Sequence, residues 1–132
     1  MTKNIIAALL IFFSPLAWSQ QSISLEPATK WLSIIDTGAY AESWQQAAPL
    51  FKTQLTQQRW VETLEGIRAP LGQVISRSAF SSGSYSSLPG APDGEYMVLQ
   101  YQTQFQHKAT STEILTLSKK SGQWLTVGYF IK

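Results

Sequence analysis

The chain has 132 residues, 44% of them hydrophobic and 14% charged, with a net charge of +2 and no cysteine. That balance excludes a disordered tail, and a chain of this size buries enough apolar surface to fold as one domain without a disulfide or metal staple. The basic residues are scattered, with Lys119-Lys120 the only adjacent pair, so there is neither a basic stripe nor a recognition motif, and nucleic acid is set aside as a partner.

The first twenty residues carry the clearest local signal. Lys3 supplies a positive start, and Ile5 through Phe13 form nine consecutive apolar residues. Ser14-Pro15 breaks that run, and Ala17-Trp18-Ser19 places small residues at the −3 and −1 positions of a cleavage site. A membrane span needs about 18 or more apolar residues, so the run is too short for an anchor. The expectation is an export signal over 1–19, cleaved after Ser19, and one domain over 20–132 that is periplasmic or secreted and not stably inserted in a membrane. Without cysteine there is no thiol nucleophile and no lipid-modified residue. The only Asn, Asn4, lies in the signal, so no glycosylation acceptor follows it, and the bacterial periplasm is the preferred compartment.

A helical first half follows. Pro27 suits the first turn of a helix, and Ala28, Trp31, Leu32 and Ile35 recur at i, i+3, i+4, i+7 until Gly38. A short second helix is predicted over Tyr40 to Ala47, closed by Pro49. Thr56 is a natural N-cap for a third, with Trp60, Leu64 and Ile67 as its buried stripe and Ala69-Pro70 and Gly72 as its end.

From Gln73 the period changes to alternation. Strands are predicted over Val74–Phe80, Glu95–Gln106, Ala109–Leu117 and Gln123–Ile131, the last two joined by a tight turn at Ser121-Gly122. In the second strand Met97, Leu99, Tyr101 and Phe105 share one face and four Gln the other. Ser81 to Gly94 reads as a Ser/Gly/Pro-rich loop. Helices followed by a run of antiparallel strands make the fold class α+β: about three helices packed on a curved four-stranded meander.

Chemistry-bearing residues are few. His107, the single histidine, falls in a hairpin turn; no second histidine completes a metal site, no serine sits in a nucleophile elbow, and no phosphate-binding loop is present. No cofactor, metal or catalytic set is therefore assigned. Two charges break the strand alternation. Glu113 shares a face with Leu115 and Leu117, and Arg77 with Ile75 and Ala79. A buried charge needs a partner, so the two are expected to meet across the sheet. A structural ion pair that fixes register is one reading, and a ligand-facing pair in a pocket the other. Tyr96, Tyr101 and Tyr129 could orient a ligand beside that carboxylate or simply pack. Tyr85 and Leu88 are apolar residues in the loop, which is either a rigid connector or a contact surface.

The runs Trp31 to Trp44, Trp60, Arg68-Ala-Pro-Leu-Gly72, Ser76-Arg77, Leu88-Pro-Gly-Ala-Pro-Asp-Gly-Glu-Tyr96, Phe105, Glu113, Gly122-Gln-Trp124 and Gly128-Tyr-Phe-Ile131 resemble DUF4019, a family of small bacterial secreted proteins of unknown function. The resemblance implies an exported α+β domain, similar to the cone-shaped folds of nuclear transport factor 2 (NTF2-like) and the cystatins. It implies no activity. The expectation that follows is a non-enzymatic periplasmic domain that binds a small molecule or an envelope protein, using the concave sheet face or the Ser81–Gly94 loop, with Arg77, Glu113, Tyr96, Tyr101, Tyr85 and Leu88 as its contact residues. Two alternatives stand beside it. One is a small pocket enzyme for proton transfer or hydration, with Glu113 or Asp36 as base and a tyrosine as acid. The other is an assembly role through a sheet edge. Glu113 in contact with an open cavity would favour the enzyme, and Glu113 sealed against Arg77 a scaffold.

Overall fold

The structure, a computed structural model, describes residues 25–132. The export signal and its cleavage after Ser19 lie outside the described residues. Among those described, no helix is long and apolar enough to cross a membrane.

Four helices come first: α1 (Glu26–Asp36), α2 (Tyr40–Gln45), α3 (Pro49–Gln54) and α4 (Gln57–Ile67), then one 3₁₀ turn (Ala69–Leu71). Pro27 sits in the first turn of α1, where its missing N–H costs nothing. Gly38 follows α1 in the left-handed region (φ 81°), its N–H returning to the Ile35 carbonyl. Pro49 was expected only to stop α2. It instead opens α3, because the same missing N–H that ends one helix is harmless at the start of the next. Thr56 caps α4 as expected, its hydroxyl accepting from the Arg59 N–H at 3.2 Å.

Four antiparallel strands complete the fold in sequential order: β1 (Val74–Tyr85), β2 (Glu95–Phe105), β3 (Lys108–Lys120) and β4 (Gln123–Ile131). The α+β meander is therefore as the sequence predicts, with four helices rather than three. β1 runs five residues beyond its expected end at Phe80, so Tyr85 is a strand residue and the connector shortens to Ser86–Gly94. The extra length reflects backbone pairing. Serines without any apolar alternation still complete a ladder when β2 supplies the partner groups. Ser121 and Gly122 both take positive φ (51° and 78°), the turn that matches strand twist in a two-residue hairpin.

The helices cover one face of the sheet. Ala28, Trp31, Leu32 and Ile35 from α1, Phe51 from α3, and Trp60 and Leu64 from α4 meet Met97, Leu99, Tyr101, Leu115, Leu117 and Tyr129. Trp31 stands edge-on to Tyr129 (5.6 Å between centroids), and Phe51 edge-on to Trp60 (4.9 Å). Both buried indoles depend on Ser43 of α2, itself fully buried. Trp31 Nε1 donates to its carbonyl and Trp60 Nε1 to its hydroxyl, each at 2.9 Å. These side chains fill the space between the helices and the sheet.

Two expected core positions are corrected. Ile67, read as part of the α4 stripe, is exposed; it is the last residue of α4, and the buried stripe stops at Leu64. Ile75, read as sharing the Arg77 face, is also exposed. The register shifts between Val74 and Ser76, so Ile75 is the extra residue of a bulge and leaves the alternation.

Glycine at 72 is required twice over. Its φ of 76° and ψ of −156° are accessible to little else, and a Cβ there would stand 2.7 Å from Gln106 Oε1 and 2.9 Å from His107 Cδ2. Gly66, in the exposed last turn of α4, would place a Cβ in open space. Gly72→Ala is expected to lose about 1–3 kcal/mol of unfolding free energy, and Gly66→Ala to gain about 0.4–1 kcal/mol. Urea titration of the two variants reads the contrast directly.

Candidate functional site

The charges that interrupt the strand alternation form one network. Glu113 of β3 is fully buried and opposite Tyr101 of β2 and Ile131 of β4. Arg77 of β1 reaches it across β2, donating from Nε to Oε1 at 2.7 Å and from Nη2 to Oε2 at 3.2 Å. Thr103 of β2 donates to Oε1 and Tyr129 of β4 to Oε2. Both carboxylate oxygens are thus occupied, and Glu113 is closed to solvent.

The other side of Arg77 holds Asp36, with Nη1 to Oδ2 at 2.8 Å and Nη2 to Oδ1 at 2.9 Å. Asp36 ends α1, where the helix dipole disfavours a carboxylate and no basic residue stands in the last turn. It is held there by Arg77 and by Arg68, whose Nη2 donates to Oδ1 at 2.9 Å. Arg68 caps the C-terminus of α4, lies over the Phe105 ring at 4.4 Å, and donates to the Gly72 carbonyl. Two guanidiniums and two carboxylates balance, so the network has no net charge as it runs from buried Glu113 to the partly exposed Asp36.

The electrostatics follow from this geometry. Burial raises the Asp36 pKa, but the hydrogen bonds and charges of Arg77 and Arg68 outweigh it and leave the carboxyl below its ordinary 3.8. Burial also pushes the Tyr129 phenol up, reinforced by the Glu113 charge and hydrogen bond. Tyr101 moves up through burial as well, and its hydroxyl is enclosed without a hydrogen-bond partner. A general base works best with a pKa near the operating pH. Asp36 moves away from that range, and Glu113 has no approach for a substrate.

The six residues singled out from sequence fall into two groups. Arg77, Glu113 and Tyr101 gather on the helix-covered face. Tyr85 and Tyr96 oppose each other at the far end of the β1–β2 hairpin, where strand period puts them on the other face. Tyr96 is buried there, its hydroxyl donating to the Pro92 carbonyl at 2.5 Å, which ties the connector to the sheet. Leu88 is half-buried in that connector and Tyr85 is exposed. His107 lies in the β2–β3 turn, its N–H bonded to the Leu71 carbonyl. Among the described residues, no group of three or more His, Cys, Asp and Glu could hold a metal ion.

Sequence reasoning missed Arg68 as a network member and also missed the open cleft. The signal for Arg68 was available, since an acid at one helix C-terminus calls for a cation from elsewhere. The cleft was not legible, because it forms where the start of α1 meets the β3–β4 hairpin. It has a volume of about 470 Å³ and is lined by Trp31, Ile34 and Trp124, with Glu26 and Lys30 also on the α1 side. Thr126 lines it too; its hydroxyl is buried and makes no hydrogen bond, while its carbonyl accepts from the Ala48 N–H.

Arg77→Met is expected to cost about 3 kcal/mol or more, since it leaves Glu113 an uncompensated buried charge, and Glu113→Gln less, since Arg77 keeps its ion pair with Asp36. The double variant keeps the balanced Asp36–Arg68 pair. Its cost should fall short of the sum by about 1–3 kcal/mol in a denaturant double-mutant cycle. Stability should also depend on pH at both extremes. The Asp36 contribution is complete above 3.8 and is lost as pH falls through its lower folded value. The contribution of Tyr129 and Tyr101 is complete below 10.0 and declines as pH rises towards their higher folded values. Thermal melts across pH should show both declines, with Tyr129→Phe flattening the alkaline one.

No curated protein matches the chain. The family model described as "Protein of unknown function (DUF4019)" matches residues 27–129, which takes in the four helices except Glu26, the charge network and most of β4. The chain belongs to the DUF4019 family.

Proposed function

We propose that the protein is a non-catalytic binding module of the bacterial envelope, exported by residues 1–19 and engaging its ligand in the cleft between α1 and the β3–β4 hairpin. The closure of Glu113 carries this reading. Among the described residues, the cluster with acid, base and phenol groups centres on Glu113, whose two carboxylate oxygens are fully used by internal hydrogen bonds and which is closed to solvent. The helix-covered sheet face is filled by core side chains, so it is not the binding surface in this reading. The cleft is instead open, and two indoles and an isoleucine line it. Ligand sites of this kind combine apolar walls with a few polar groups that set orientation. Glu26 and Lys30 suit a ligand with an apolar body and polar ends of both signs.

A thermal-shift screen against periplasmic metabolites, lipids and glycans, paired with pull-down from envelope extract, tests the binding half. A ligand should raise the melting temperature and quench indole fluorescence, and Trp124→Ala should abolish both while remaining folded. Empty results from screen and pull-down at high protein concentration, or binding that Trp124→Ala leaves intact, would overturn it. Cell fractionation with intact-mass measurement tests export. The periplasmic form should begin at Gln20, and a full-length cytoplasmic form would count against it.

A further inference from the structure

Five large hydrophobic side chains stand exposed among the described residues, and three of them, Ile75, Phe80 and Tyr85, lie on β1. They recur at intervals of five residues along a strand that forms one edge of the sheet. β1 pairs on one side only, with β2, and among the described residues no other backbone hydrogen bond reaches Val74–Tyr85. The opposite edge is different: at β4 the Ala48 N–H already occupies the Thr126 carbonyl at 2.8 Å.

Proteins protect a free edge with outward charges, proline or bulges. β1 has no proline, and its one charge, Arg77, is turned inward and neutralised by Asp36 and Glu113. It has two bulges, at Ile75 and Phe80, but the residues they release from the ladder are apolar and exposed. The edge is therefore sticky rather than guarded.

The spacing also identifies the partner. We propose that β1 pairs with β1 of a second copy, antiparallel about a twofold axis at Phe80, joining the two sheets into one. In that register Phe80 meets Phe80, and Ile75 meets Tyr85 of the second copy in both directions. The apolar set is thus its own complement, as an isologous interface requires. Arg77 falls opposite Gly83, which has no side chain to obstruct it, and the remaining pairs are Ser with Ser or Ala. No like charges oppose each other. Main-chain hydrogen bonds would supply the pairing, and the three hydrophobic contacts its register. This surface is separate from the cleft, so it stands whether or not the cleft binds a ligand.

Sedimentation equilibrium of the mature chain over a wide dilution series should show a reversible monomer–dimer equilibrium. Phe80→Lys sets like charges face to face and should weaken the dimer on the order of tenfold or more, with an unchanged far-UV spectrum. Because the chain has no cysteine, single-cysteine variants report the register. Under mild oxidation Phe80→Cys should cross-link to itself much faster than Thr63→Cys, an exposed control on α4. Ile75→Cys mixed with Tyr85→Cys should form the mixed disulfide in preference to either homodimer. A chain that stays monomeric at every concentration would overturn the proposal, including the case in which β1 takes a strand from a different protein. So would Phe80→Cys cross-linking no faster than the control.

Discussion

The guanidinium of Arg77, held between Asp36 and Glu113, is the contact on which the arrangement of helices and sheet depends. β1 contributes no fully buried side chain, so its attachment rests on the β2 ladder and on this one cation. Through Asp36 the same cation reaches the end of α1, and through Arg68 the end of α4. Through Glu113 it reaches β3, and from there Thr103 of β2 and Tyr129 of β4. Four strands and two helices therefore share one charge-balanced network. Such a network specifies geometry more than it adds stability, because ion desolvation offsets much of the Coulombic attraction. An apolar core tolerates sliding and repacking. A buried carboxylate with every lone pair assigned does not.

The aromatic half of the core applies the same logic with neutral groups. Trp31 and Trp60 bring large apolar area to the interior, and each also brings an N–H that must be satisfied there. Ser43 answers both, which fixes the short α2 between α1 and α4. The interior is thus oriented by two polar hubs, Ser43 under the helices and Glu113 in the sheet. The indole-lined cleft and the exposed apolar side chains of the β1 edge lie outside them.

This arrangement also separates two properties that sequence reading tends to merge. A buried carboxylate beside a phenol and a guanidinium has the composition of an acid–base site. Its function depends on whether a lone pair or a proton is left for a substrate. Glu113 has neither approach nor spare acceptor capacity, and the pKa of Asp36 is drawn down rather than up. Composition alone carries no information on that point.

Much of the fold was legible in the sequence. The i, i+3, i+4, i+7 spacing from Ala28 to Ile35, the Thr56 cap, the alternation through Met97, Leu99 and Tyr101, and the Ser121-Gly122 turn are all short-range patterns, each set by local backbone physics. The need for Arg77 and Glu113 to meet was also readable, since two charges on apolar faces leave few alternatives. The additional helix at Pro49 and the strand tail from Ser81 to Tyr85 were not. Proline serves equally at the end of one helix and the start of the next, and serine acquires strand geometry only from a neighbour's hydrogen bonds. The exposure of Ile75, the recruitment of Arg68 and Asp36, and the cleft at the β3–β4 hairpin likewise arose only on assembly. The chain by itself determined which elements form and which charges need company. Tertiary packing decided which partners they found and which surfaces stayed open, because register shifts and helix ends brought together in space depend on contacts between residues tens of positions apart.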